Sequence, residues 1–168
     1  MAGEQPSAAA IDASPFRFAV VVSRFNAFVT EPLRDGAVAA LREAGALESN
    51  VHVLAVPGAF EIAQAARLAA ETGRFDAVVC LGCLIRGETP HFDYIASATT
   101  HGIMKAAAET GVPMAFGVLT TNTVEQATAR AGEGPDNKGR EAAAAAVEMA
   151  ALYKSFSGTT SRPFGFRA

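Results

Sequence analysis

The chain has 168 residues, 50% hydrophobic and 18% charged, with Gly 15 and Pro 8. That is enough for one domain with a normal core, too apolar for a disordered chain, and too poor in glycine and proline for a collagen-like or low-complexity one. Lys+Arg 14 against Asp+Glu 17 gives a net charge of -3, and with no basic run interleaved with aromatics, nucleic acid is not an expected partner.

Residues 1–15 lack the basic start and apolar centre of a signal peptide, and no apolar run approaches the ~18 residues of a membrane span, so no membrane partner is expected and the expected compartment is the cytoplasm. This segment reads as a flexible lead, followed by a single domain over 16–156 and a tail over 157–168. With 37 alanines and no tryptophan, the helices must pack through small side chains at close backbone distances. Such faces also suit contacts between subunits.

In chain order, FAVVVS at 18–23 reads as a strand and 31–44 as a helix, with Leu33, Ala37, Leu41 and Ala44 at helical spacing, Pro32 in the first turn and Gly45 as the stop. VHVLAV at 51–56 is the second strand, and 61–72 the second helix, ended by Gly73. DAVVCLG at 76–82 and PMAFGVL at 113–119 are further strands, separated by a helix over 95–110 that Gly111 closes. Helices over 124–131 and 140–156 follow, divided by GEGPDNKG. Short continuous apolar runs are the mark of strands buried on both faces, and strand–helix alternation makes right-handed crossovers: an α/β three-layer sandwich, with a four-stranded parallel sheet flanked by helices.

Ligands of such sheets lie beyond the carboxyl ends of the strands. Phe25 and Asn26 follow the first strand, where core packing is the alternative to a ligand contact. Pro57, Gly58, Ala59, Phe60 and Glu61 follow the second; Glu61 either complements a helix dipole or accepts hydrogen bonds from ligand hydroxyls. After the third, IRGETPHFDY packs two glycine or proline punctuators, a hydroxyl, a histidine and an acid into ten residues. An imidazole moves protons in either direction near neutral pH, which makes His91 the leading general acid/base, with a surface or capping role as the alternative. His52 in a strand and His101 in a helix read as structural.

Cys80 and Cys83 form a C-x-x-C, but an offset of three along a strand points the side chains to opposite faces, and no second ligand pair completes a metal shell. Arg130, near a helix end, and Lys138, in a glycine-rich loop, have bland readings as a helix C-terminal contact and a solvated lysine. Together they make a phosphate site, a planar fork beside a point charge. Neither G-x-x-x-x-G-K-[ST] nor G-x-G-x-x-G is present, so ATP and dinucleotide readings lose their main support.

RFN after the first strand, VPGAFEIA after the second, LGCLIRGETPHFDYIA after the third, and GVLTTNTVEQATARAG followed by NKG together resemble the 6,7-dimethyl-8-ribityllumazine synthases, from about Phe18 to Phe156. The resemblance implies a flavodoxin-like fold and the penultimate step of riboflavin biosynthesis. There, 5-amino-6-(D-ribitylamino)uracil condenses with 3,4-dihydroxy-2-butanone 4-phosphate, with no cofactor and no metal. Carried over position by position, Phe25 stacks on the pyrimidinedione, and Ala59, Phe60 and Glu61 meet the ribityl chain and ring edges. Cys83, Leu84 and Ile85 line the ring; Glu88 and Thr89 meet the butanone phosphate, Arg130 holds its phosphoryl group, and His91 transfers protons. Phe116 and Lys138 complete the pyrimidine pocket, reaching in with Arg130 from an adjacent subunit. The family forms pentamers, some assembling into sixty-subunit capsids, and the short GEGPDNKG stretch is compatible with the capsid form. The rivals are a flavin- or lumazine-binding module of the same fold, an archaeal-type riboflavin synthase and a shell protein that has lost catalysis.

Overall fold

The computed structural model describes residues 10–157. Four runs rich in β-branched side chains form one parallel sheet: β1 (Phe18–Ser23), β2 (Val51–Val56), β3 (Ala77–Ile85) and β4 (Met114–Thr121), in the order β2-β1-β3-β4. The register sets Phe18 beside both Val51 and Ala77, and Val78 beside Met114. The inner strands β1 and β3 are buried on both faces, as their unbroken apolar runs require. β2 departs from that expectation: it is an edge strand, and Val53, Leu54 and Ala55 are exposed.

Helices α1 (Ala27–Glu43), α2 (Ile62–Glu71), α3 (His91–Thr110), α4 (Val124–Ala131) and α5 (Lys138–Ser157) cover the sheet. One core joins Val20, Leu81 and Leu119 to α1, α4 and α5, with Leu33, Ala37 and Leu41 facing Ala143, Ala146 and Ala150. The other joins Val21, Val78 and Val118 to α2 and α3 through Ile62, Ala66 and Ile103. The alanine-lined helices come very close: a Cβ on Gly139 would collide with the Leu33 carbonyl oxygen, and one on Gly36 would sit 2.5 Å from Asn137 Oδ1.

Ala13 lies within the segment expected to be loose, yet it is fully buried and its N–H donates to Ala44 O at 2.8 Å, because the chain must cross the α1 end to enter β1. The expectations for 1–9 and 158–168 lie outside the described residues. No described helix is long and apolar enough to cross a membrane.

Candidate active site

β1 is followed by a helix on one face of the sheet and β3 by a helix on the other, so the loops leaving these neighbours diverge and open a crevice at their carboxyl ends. Arg24 N donates to Val56 O (2.8 Å) and Phe25 N to Pro57 O (3.1 Å), which continues the β1–β2 pairing past both strands. Asn26 then turns into the left-handed region (φ 58°, ψ 47°), the only non-glycine there among the described residues. Asparagine is among the few residues that tolerate this conformation, and its Nδ2 donates to Cys83 O at 3.0 Å, tying the turn to β3.

The crevice is a cavity of about 370 Å³ whose walls include Phe25, Ala59, Phe60, Glu61, Leu84, Ile85, Thr89 and His91. Phe25 is 68% and Phe60 60% exposed, which removes the core-packing reading and leaves two aromatic side chains for a flat ring to meet. Glu61 caps its own turn by accepting from the Gly58 N–H at 2.9 Å, and still lines the cavity. Thr99 Oγ1, from α3, holds the same turn by donating to Ala59 O at 3.2 Å. His91 is the first residue of α3 and is exposed.

Two expected wall residues stand elsewhere. Cys83 is 1% exposed and its side chain enters the α1/α5 core, since strand alternation gives the cavity side to Leu84; only its carbonyl serves, as the anchor for Asn26. Glu88 is exposed on the β3–α3 turn, off the wall. Cys80 enters the opposite core, and burial pushes its thiol up to about 12 and that of Cys83 up to about 11, so the C-x-x-C does not form a facing pair. Asn26, Gly58, Gly87, Phe92 and Ile95 also line the cavity. They fall in or beside the segments singled out after each strand, but the sequence reading assigns none of them a substrate contact.

Phe116, Arg130 and Lys138 are gathered in a separate cavity of about 320 Å³, between β4, α4 and α5, which shares no residue with the first. Arg130 Nη1 donates to Gln126 O at 2.9 Å in the last turn of α4, and Lys138 pairs with Glu141. Asn137 knits this region. Its Nδ2 donates to Pro32 O, Ala131 O and Gly132 O at 3.1, 3.0 and 3.0 Å, while Oδ1 accepts from Gly139 N and Arg140 N at 2.8 and 3.2 Å.

Above the β3–α3 turn, Arg86 grips Asp93 with two bonds, and this hydrogen bonding holds the Asp93 carboxyl below its ordinary value.

The model of the 6,7-dimethyl-8-ribityllumazine synthase family matches residues 15–154. A 6,7-dimethyl-8-ribityllumazine synthase from Chlorobium luteolum is 50% identical over 146 residues, which is 87% of this chain and 94% of the relative. With this architecture, and with likeness over nearly all of both chains, the chain belongs to the 6,7-dimethyl-8-ribityllumazine synthase family.

Proposed function

We infer that this chain condenses 5-amino-6-(D-ribitylamino)uracil with 3,4-dihydroxy-2-butanone 4-phosphate to 6,7-dimethyl-8-ribityllumazine, at a site that two copies of the chain complete. The supporting observation is the division of the site-like residues between two cavities with no residue in common. The first offers aromatic side chains, a carboxylate, a hydroxyl and an imidazole. The second offers the cations and Phe116. Set against each other across a heterologous contact, they supply what neither holds alone, and such a contact gives a ring where its rotation closes. The assigned ring is a pentamer, and the short 132–139 stretch suits further assembly into a sixty-subunit shell.

In this reading Phe25 stacks on the pyrimidinedione, and Ala59, Phe60 and Glu61 meet the ribityl chain and ring edges beside Leu84 and Ile85. Thr89 and the neighbour's Arg130 hold the phosphoryl group, while Phe116 and Lys138 close the pocket. The 5-amino nitrogen attacks the ketone carbon, and loss of water gives an imine. A proton then leaves carbon, and the C–O bond to phosphate breaks with its electron pair going to the leaving group. The enol this leaves takes a proton on its terminal carbon and becomes a ketone; the ribityl-bearing nitrogen attacks that new carbonyl, and loss of a second water closes the ring. His91 takes and returns the protons of these steps, while most of the acceleration comes from holding the two substrates in register.

The test is complementation between two impaired chains, one carrying Phe25→Ala with His91→Ala and the other Arg130→Ala. Dissociated, mixed in equal amounts and reassembled, they should regain about a quarter of wild-type sites, since each site draws an intact half from each partner with even odds. A mixture no faster than the mean of its parents refutes the shared site.

A further inference from the structure

We propose that Arg86 and Asp93 are positioning residues whose ion pair straps the 87–90 turn over the first cavity and so fixes Thr89 and His91. The proposal rests on the reading of that cavity as the proton-transfer site. The geometry is a closed loop: Arg86 Nη1 donates to Asp93 Oδ2 at 3.0 Å and Nη2 to Asp93 Oδ1 at 2.7 Å. A fork that meets both carboxylate oxygens fixes an angle as well as a distance. The two residues bracket the turn that carries Thr89 and leads into His91, so their pairing sets where that turn stands.

The same guanidinium reaches two other elements. Nε donates to Asn122 Oδ1 at 3.2 Å, in the segment between β4 and α4. Its Cζ stands 4.3 Å from the centroid of Phe92, a ring that itself lines the cavity. The Arg86 backbone N–H also donates to Thr121 O at 2.9 Å, so its backbone is tied to the last residue of β4 and its side chain to the residue that follows. One side chain thus joins the end of β3, the first turn of α3 and the exit from β4. The pair is half-exposed, and ion pairs so placed add little to global stability. Its effect is local, on a turn containing Gly87 and otherwise open to solvent.

The experiment compares the full chain with Arg86→Gln, Asp93→Asn, the double variant and His91→Ala, reading kcat and KM for both substrates above the uncatalysed rate, the melting temperature, and amide hydrogen exchange over 87–91. Each strap variant should melt within about 2 °C of wild type. In each, exchange over 87–91 should quicken about tenfold or more, and kcat should fall about 5- to 50-fold with both KM values within about twofold. The double variant should be no slower than the slower single, since a broken strap cannot be broken twice.

Unchanged exchange overturns the proposal, as do losses that multiply in the double variant. So does a rise in KM for the phosphate substrate confined to Arg86→Gln, which would make Arg86 a direct phosphate ligand. If both single variants keep wild-type kcat while His91→Ala is slow, the strap alone fails. If His91→Ala also keeps wild-type kcat, the assignment of the cavity fails with it.

Discussion

Replacing Asn137 by alanine should cost about 2–4 kcal/mol of stability. The residue is 3% exposed, and its amide spends every polar atom: Nδ2 on the carbonyls of Pro32, Ala131 and Gly132, Oδ1 on the N–H groups of Gly139 and Arg140. The two N–H groups stand in the first turn of α5, so the Oδ1 bonds are a helix cap, worth about 1 kcal/mol. The Ala131 bond is buried, and its carbonyl would lose its partner out of reach of water, at about 1–3 kcal/mol. The bonds to Pro32 and Gly132 are only partly buried, so water replaces them at small cost. Equilibrium urea unfolding at fixed protomer concentration measures the difference, and a loss under about 1 kcal/mol refutes this accounting. Asn137→Asp separates its two halves. It keeps the cap acceptor but sets a carboxylate against three carbonyls, so its folded-state pKa rises. Relative to wild type, its stability should be greatest below the ordinary aspartate value and fall as pH rises through the raised one. A pH-independent difference would show that the carbonyl bonds do not matter.

His91→Ala should slow turnover by at most about 10²- to 10⁴-fold without abolishing it, because orientation survives; a folded variant with no activity above the uncatalysed rate refutes this. Arg130→Ala should raise KM for the phosphate substrate about 10- to 100-fold, the loss of a charge-assisted pair, with a much smaller change in KM for the uracil; equal rises count against the assignment. The buried Cys80 thiol stays protonated to about pH 12 in the fold, whereas its ordinary value is 9.0. The unfolded chain therefore binds fewer protons across that interval, and stability present below pH 9.0 is lost as pH rises, by about 1.4 kcal/mol per pH unit. Cys80→Ala should remove that part of the slope in urea unfolding at stepped pH, and an unaltered slope contradicts it.

The strands were legible because parallel sheets demand unbroken apolar runs: β1 and β2 match the bounds read from sequence, while β3 runs on past Gly82 through the apolar residues 83–85 and β4 through the threonines at 120–121. Helix starts were harder. α1 begins at Ala27, four residues before the expected Glu31, because Asn26 makes the turn and Pro32 is tolerated inside the helix. The N–H that Pro32 lacks would have met the carbonyl of Phe28, an exposed residue. α3 begins at His91 and not Ile95, since Pro90 precedes the first turn and Asp93 complements its dipole. That shift converts His91 from a loop residue into a helix-terminal one. The chemical types at the site were readable from residues after each strand. Exposure of Phe25 was not, and the separation of Arg130 and Lys138 from it was implied only by the family resemblance, because both depend on distances between elements that no local pattern encodes.

The alanine contact between α1 and α5 inverts the usual sensitivity of a core. Where Leu or Phe fill an interior, truncation is the damaging change, because it leaves a void. Opposite Leu33 and Ala37, the buried Ala142, Ala143 and Ala146 have almost nothing to lose, and ordering them costs no rotamer entropy. Enlargement has nowhere to go: at Gly139 the backbones are already at their limit and Gly36 lies against the Asn137 amide, so an added methylene must push the two helices apart. Sequence drift along this seam is thus bounded by size from above, with polarity a secondary filter, and the positions that most resist change are those whose side chains are smallest.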